Sequence, residues 1–82
     1  MPRRKSPKAK KSPVALAIGS VLRQHREKAR MTQERFAELV DLSKNYIGNL
    51  ERGEYEISIR VLDQVARPLK IRASDIVRDA GY

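Results

Sequence analysis

The sequence contains no cysteine, so disulfide bonds cannot stabilise this 82-residue chain. A single core of this size is marginally stable and must rely on packing alone. No apolar run approaches the ~20 residues that cross a bilayer, and the stretch "PVALAIG" is too short and too interrupted for a signal-peptide core. Because the lack of cysteine also fits a reducing compartment, we expect one small, soluble domain in the cytoplasm and no membrane partner.

The sequence also lacks the residue groupings that carry catalysis or hold a metal. His25 is the one histidine. It has no second ligand at metal-binding spacing, so we expect a packing role for it. There is no glycine-rich loop that could bind phosphate and no nucleophile paired with a base. We therefore expect neither an enzyme nor a protein that holds a metal or a cofactor.

Positive charge is abundant, and it is unevenly distributed. The net charge is +8, and six of the 18 lysines and arginines lie in residues 1–13, which contain no acid. Residues 14–82 carry 12 basic and 10 acidic residues and are nearly balanced. The first 13 residues also lack apolar periodicity, which predicts a disordered basic arm. Such an arm indicates a polyanionic partner, although a solvated tail that aids solubility is the alternative.

From Val14 onward, apolar residues recur at three- and four-residue steps, which predicts helices. Ser or Thr before three of these segments predicts helix caps, and Pro68 should disturb the last turn of the fourth. We expect residues 14–82 to form an all-α, compact five-helix bundle. The five segments are about 15–29, about 32–40, from the Ser43 cap to Gly53, from the Ser58 cap to Leu69 with Ile59, Leu62 and Val65 facing inward, and from Ala73 or Ser74 to Gly81.

The second and third segments have the spacing of a helix-turn-helix unit, since a bend of about three residues joins two short helices. Ala37 is small enough to let the two backbones approach each other. The apolar Ile47 and Leu50 predict a buried inner face for the third helix. Its outer face would then project as a rigid rod, and an α-helix fits the major groove of B-DNA.

The stretch "TQERFAELVDLSKNYIGNLERG" (Thr32–Gly53), with "RQHREKARMTQ" before it and "ISIRVLDQVARPLKI" after it, resembles the phage-repressor and Cro-type (XRE-like) helix-turn-helix family. The resemblance covers about 18–78. It implies a lambda-repressor-like DNA-binding domain of about five helices. It also implies a prokaryotic transcription regulator that acts on double-stranded DNA, usually as a homodimer on a two-fold operator.

The resemblance also assigns roles to individual residues. Outward positions at the front of the third helix would contact base edges, where lysine can donate to guanine and asparagine can pair with adenine. Positions at helix starts and ends would contact the DNA backbone. Arg26 and Glu51 match a pair that forms a structural salt bridge between the first and third helices. The expected base contacts are Ser43, Lys44, Asn45 and Asn49, and the expected backbone contacts are Thr32, Gln33, Tyr46, Arg52 and Arg60.

Three positions depart from the usual pattern of the family: Arg30, Asp41 and Ile57, which stands where proline is frequent in the loop before the fourth helix. Arg30 and Asp41 stand where glycine is frequent, and each would need a strained or adjusted backbone at a cost of about 1 kcal/mol. Gly48 lies inside the third helix, where it costs about 1 kcal/mol relative to alanine. It either lets the helix backbone approach DNA closely or is a tolerated small residue.

The last helix carries more apolar residues than so small a core needs. Ile76, Val77 and Tyr82 form the expected dimer surface, because one recognition helix contacts too few base pairs for useful specificity. The alternative is that these residues only close the core of the monomer.

The expected function is sequence-specific regulation of transcription by a nucleoid-associated protein. A phage-type repressor, a controller of a restriction-modification operon and an antitoxin-like autoregulator remain open. A protein-interaction module that binds a toxin or RNA polymerase through the same fold is the alternative class.

Overall fold

The computed structural model describes residues 11–82, which form five α-helices and one 3₁₀ turn and contain no strand. The helices are α1 (Pro13–Lys28), α2 (Gln33–Val40), α3 (Lys44–Glu51), α4 (Ile59–Ala66) and α5 (Ala73–Asp79), and the 3₁₀ turn (Arg67–Leu69) joins α4 to α5. The expected all-α fold of five helices is confirmed. Within the described part of the chain, no helix combines the length and apolar character needed to cross a membrane. Most of the predicted disordered arm (1–13) lies outside the described residues.

Side-chain caps fix where the first four helices begin. The hydroxyls of Ser12, Thr32, Ser43 and Ser58 each accept a hydrogen bond from the backbone N–H three residues later, at 3.0–3.2 Å. The last three caps are those expected from the sequence. Ser12 was not expected as a cap, and because it satisfies a free N–H of the first turn, α1 begins at Pro13 rather than near residue 15.

Residues with a left-handed backbone conformation follow several of the helices, and not all of them are glycine. Arg30 (φ 61°) follows α1 and Asp41 (φ 59°) follows α2, which confirms the adjusted backbone expected at both positions. After Asp41, the N–H of Leu42 donates to the carbonyl of Ala37 at 3.0 Å. This bond closes the last turn of α2 and leaves only three residues before α3.

The expected interruption at Pro68 is present, and one expected core residue is not buried. α4 ends at Ala66, and the chain continues as the 3₁₀ turn that contains Pro68. Leu62 and Val65 are buried, but the prediction that Ile59 faces inward is wrong, because 77% of its surface is exposed. As the first residue of α4, Ile59 lies beyond the edge of the core.

The centre of the core takes one large side chain from every helix. These fully buried residues are Leu22, Phe36, Ile47, Val65 and Ile76. The placement of Ile76 on a dimer surface is therefore wrong, since its side chain fills the space under α5 and has no exposed area. Val77 is half-buried and Tyr82 is exposed, so both remain available for contact with another chain.

Gly19 allows the backbones of α1 and α3 to touch. A Cβ atom at this position would lie 2.7 Å from the carbonyl oxygen of Glu51 and would also overlap the carbonyl oxygen of Leu50. Backbone atoms cannot move aside as a flexible side chain can, so only glycine permits this approach. The contact sets the distance between the first helix and the inner side of α3.

The last helix closes onto the first through a hydrogen bond at the surface. The Oδ2 atom of Asp79 lies 3.1 Å from Nε2 of His25. The hydrogen bond from His25 lowers the pKa of Asp79 below its ordinary value of 3.8, partial loss of solvent opposes this effect, and Arg78 adds to the lowering. The pair also agrees with the packing role expected for His25.

Replacement of Gly19 by alanine should destabilise the fold by about 2–3 kcal/mol, because α1 and α3 would have to separate. Gly48→Ala is the matched control, since it also places alanine inside a helix. The added Cβ would meet only the flexible end of Arg52, at 3.0 Å. Gly48→Ala should stabilise the fold by up to about 1 kcal/mol through helix propensity. Urea unfolding measures both changes, and a Gly19→Ala protein as stable as the parent would contradict the proposed contact.

The lowered pKa of Asp79 predicts a loss of stability in acid. The contribution of this carboxylate is fully present above its ordinary pKa of 3.8 and disappears as the pH falls through its lower folded-state value. Asp79→Asn removes the titrating group. Its unfolding free energy should therefore fall less steeply than that of the parent between about pH 5 and about pH 2. Parallel profiles for the two proteins in urea unfolding at several pH values would show that the pair does not form in solution.

Candidate nucleic-acid interface

A buried ion pair joins α1 to α3, as the family resemblance implies. Arg26 donates from Nε to Oε2 of Glu51 at 2.7 Å and from Nη2 to Oε1 at 3.1 Å. The third donor, Nη1, reaches the carbonyl oxygen of Met31 at 2.7 Å. The hydrogen bond to Glu51 raises the pKa of Arg26 against the opposing effect of burial. A buried charge is tolerated only when it is paired and hydrogen-bonded, and both side chains meet this condition.

The same carboxylate also binds α2. Nε2 of Gln33 donates to Oε1 of Glu51 at 3.0 Å. Glu51, on α3, therefore accepts hydrogen bonds from both α1 and α2. From the opposite side, Nε2 of Gln64 on α4 donates to the carbonyl oxygen of Val40 at 2.6 Å, at the end of α2. These contacts fix α2 and α3 relative to each other and to the rest of the domain.

The front of α3 presents its polar side chains to solvent. Ser43, Lys44 and Asn45 are exposed at the start of the helix, while Ile47 and Leu50 are buried on its other side. The oxygen of Ser43 accepts the N–H of Tyr46, which leaves its hydroxyl hydrogen available as a donor. Three of the four expected base contacts therefore lie together on an accessible surface at a helix N-terminus.

The fourth expected base contact, Asn49, lies one turn further along α3 and is half-buried. Its Oδ1 atom accepts a hydrogen bond from Nη2 of Arg52 at 2.5 Å, and its Nδ2 atom donates to the hydroxyl of Tyr55 at 3.3 Å. The ring of Tyr55 stacks on Tyr46, with centroids 5.7 Å apart and an interplanar angle of 28°. Gly48 has no side chain, and the guanidinium of Arg52 occupies the space beside it. These five residues form one layer on the outer side of α3.

The residues expected to contact the DNA backbone differ in how much of each side chain remains free to bind phosphate. Thr32 and Gln33 lie at the start of α2, but one N–H of the Gln33 amide is already used by Glu51, and its second N–H remains as a possible phosphate donor. Arg52 ends α3 and turns back towards Asn49. Arg60 is exposed at the second position of α4.

The contacts that Lys11 and Tyr55 make with α3 were not predicted from the sequence. Nζ of Lys11 donates to the carbonyl oxygen of Arg52 at 3.1 Å and forms an ion pair with Glu54, also at 3.1 Å. A cation is favourable at this end of a helix. Tyr55 lies in a loop without periodicity, and Lys11 could be counted only as one charge of the arm. No local signal identified either contact. Lys11 lies 41 residues before Arg52 in the sequence, and Tyr55 reaches α3 only because the loop after this helix folds back.

A mainly apolar groove lies between α4 and α5. Its volume is about 400 Å³, and its lining includes Ile59 and Leu62 of α4 and Val77 of α5, together with Tyr82. Ile59 and Tyr82 are 77% and 63% exposed. Of the three residues expected at a dimer surface, Val77 and Tyr82 line this groove and Ile76 does not.

Comparisons with known proteins agree with this geometry. The immunity repressor protein of Bacillus phage phi105 is 34% identical over 62 residues, which are 76% of this chain but 43% of the repressor. This chain therefore spans less than half the length of that relative. Control protein C.BamHI of Bacillus amyloliquefaciens is 31% identical over 65 residues, covering 78% of this chain and 80% of that protein. The crystal structure of the clp gene regulator ClgR from C. glutamicum has a TM-score of 0.82 at 31% identity and covers 90% of this chain and 95% of that chain.

A protein-family model described as Helix-turn-helix matches residues 22–76, which include α2, α3 and the residues of the buried ion pair. The match extends over most of the chain, and it confirms the resemblance seen in the sequence. The family and these relatives are regulators of transcription rather than enzymes. The chain belongs to the helix-turn-helix family of DNA-binding transcriptional regulators.

Proposed function

We propose that this protein recognises a specific double-stranded DNA sequence by placing the front of α3 in the major groove. The observation that carries the proposal is the exposed polar surface of Ser43, Lys44 and Asn45 on a helix whose other side is buried. Lysine can donate to O6 and N7 of guanine, and asparagine can pair with N6 and N7 of adenine. Such contacts need well-fixed side chains, and the buried Arg26–Glu51 pair holds the helix that carries them.

The start of α2 and the basic arm would supply contacts to the DNA backbone. The free N–H groups of a helix N-terminus bind phosphate, and Thr32 and Gln33 lie at such a terminus. Lys11 lies against the last turn of α3, so the described chain begins beside the proposed DNA-binding surface. Residues 1–10 contain five further basic residues and no acid. We propose that they act as an electrostatic tether along the phosphates.

A homodimer would place two such helices on a two-fold operator. The exposed Ile59 and Tyr82 and the half-buried Val77 give one continuous apolar surface on α4 and α5. A second copy of this chain is the occupant we propose, because a self-complementary contact doubles the number of base pairs recognised. Similarity to a phage repressor and to a control protein supports a repressor or autoregulator that acts at a promoter. Such a protein would work in the cytoplasm, on the nucleoid, and would meet RNA polymerase there.

Selection of bound oligonucleotides from a random pool, at about 150 mM salt, tests the proposed function. The parent should enrich a two-fold symmetric consensus. Asn45→Ala should lose the preference at one base pair of each half-site, where affinity for the consensus falls by about 1–3 kcal/mol. Absence of any enriched sequence with the parent would reject sequence-specific recognition and favour a protein-interaction module that binds a partner such as a toxin or RNA polymerase.

A protein that begins at Lys11 is the matched control for the selection experiment, because it loses charge but no proposed base contact. It should bind consensus and random DNA more weakly by the same factor, and the dependence of its affinity on salt should be shallower. A change in the consensus itself would show that the arm contributes to base recognition.

Ile59→Asp should convert the dimer to a monomer, since a buried carboxylate would be left unpaired at the centre of the apolar surface. Ile59 is highly exposed, so the fold of each chain should be unaffected. Leu39→Asp, at a position that is 46% exposed on α2, is the control and should leave the dimer intact. Sedimentation equilibrium distinguishes the 9.4 kDa chain from its dimer. A dimeric mass for both the parent and Ile59→Asp would place the interface elsewhere, and a monomeric parent would reject the dimer.

A further inference from the structure

The amide of Asn49 is held at both ends by groups that differ in hydrogen-bonding chemistry. Arg52 can only donate, so the atom that faces its Nη2 must be the amide oxygen. The amide nitrogen then faces the hydroxyl oxygen of Tyr55 at 3.3 Å. An asparagine amide that rotates by 180° exchanges its donor and its acceptor. Arg52 therefore selects one of the two orientations, and the hydroxyl of Tyr55, which can accept or donate, holds the nitrogen end of the amide in place.

Tyr55 is itself fixed in place, although it lies in a loop and is 46% exposed. Its ring stacks on Tyr46, which belongs to α3. The preceding residues turn back through Gly53 (φ 75°), and the N–H of Glu54 donates to the carbonyl oxygen of Asn49 at 2.9 Å. The ion pair between Lys11 and Glu54 adds a further restraint next to Tyr55. The loop thus returns the hydroxyl of Tyr55 to the helix that it follows.

Together, these two hydrogen bonds use only half of the hydrogen-bonding capacity of the Asn49 amide. One N–H and one lone pair of the oxygen remain, and these are the donor and acceptor that adenine N7 and N6 require. If its nitrogen end were not held by Tyr55, the amide could swing about its hydrogen bond to Arg52 and present this donor and acceptor in other directions. Its preference between base pairs would then be weaker, because part of the binding energy would be spent on ordering the group.

We infer that Tyr55 is a positioning residue for base recognition: its hydroxyl holds the nitrogen end of the Asn49 amide, whose orientation Arg52 selects, so that Asn49 discriminates one base pair. Tyr55 acts through Asn49 and touches no base in this role. The inference rests on the proposed function, because it requires α3 to lie in the major groove. It goes further by naming a residue outside α3 that determines specificity at one position of the site.

Tyr55→Phe tests this role, because it removes the hydroxyl and keeps the ring that stacks on Tyr46. The base pair contacted by Asn49 is identified first, as the position at which Asn49→Ala loses the preference of the parent. Affinities are then measured for the consensus duplex and for duplexes with each of the three other base pairs at that position. Tyr55→Phe should lower discrimination there by about 3- to 10-fold, the scale of one hydrogen bond, and should leave other positions unchanged. Glu56→Gln, an exposed position in the same loop, is the control and should discriminate as the parent does.

The double variant Asn49→Ala/Tyr55→Phe separates positioning from a direct contact. If Tyr55 acts through Asn49, the double variant should discriminate no worse than Asn49→Ala alone. Additive losses would overturn the inference, as would parent-like discrimination by Tyr55→Phe or an Asn49→Ala protein that loses preference at no position. In each of these cases the parent still selects a consensus, so the proposed function stands. A parent that selects none rejects the proposed function and the inference together.

Discussion

The buried carboxylate of Glu51 is the constraint on which the rest of the structure depends. It accepts two hydrogen bonds from Arg26 and one from Gln33, and so joins three helices at one point. Removing one partner of a buried ion pair typically costs about 3–5 kcal/mol, since the other charge is left unpaired. A domain of this size has little stability to lose. The backbone contact at Gly19 lies beside the pair and allows α3 to approach closely enough for the hydrogen bonds to form.

This constraint explains how a small domain can present a rigid recognition surface. Base pairs are distinguished by donor and acceptor positions that differ by a few ångströms, so the helix that carries the side chains must not rotate about its axis. Buried Ile47 and Leu50 and the ion pair hold the inner side of α3. Side chains on the outer side of α3 are held in place as well, by contacts within the layer of Tyr46, Gly48, Asn49, Arg52 and Tyr55. Fixed side chains lose less entropy when they bind DNA.

Much of the fold could be predicted because its signals are local. Ser43 caps α3 and Pro68 ends α4 through effects that span only a few residues. The left-handed backbone at Asp41 likewise follows from the short bend between two helices. The expected ion pair of Arg26 and Glu51 came from the family resemblance, since 25 residues separate the two in sequence.

The features that could not be predicted depend on how distant segments meet. Ile59 and Ile76 are both apolar at helical spacing, yet Ile59 is exposed and Ile76 is fully buried, because α5 covers only part of α4. Gly19 looks like an unfavourable helix residue until the carbonyl groups of α3 are placed beside it. Tyr55 shows no pattern in the sequence, and its partners on α3 become visible only when the loop folds back.

An NMR titration of the 82-residue chain with a DNA duplex carrying its selected sequence tests the central claim most directly. If α3 is held rigidly and enters the major groove, the amide shifts on binding should concentrate at Thr32–Gln33 and along 43–52, and the buried amides near Glu51 should exchange with solvent as slowly as before. Shifts confined to α4 and α5, or an α3 whose amides exchange as fast as those of an unfolded segment, would contradict the account.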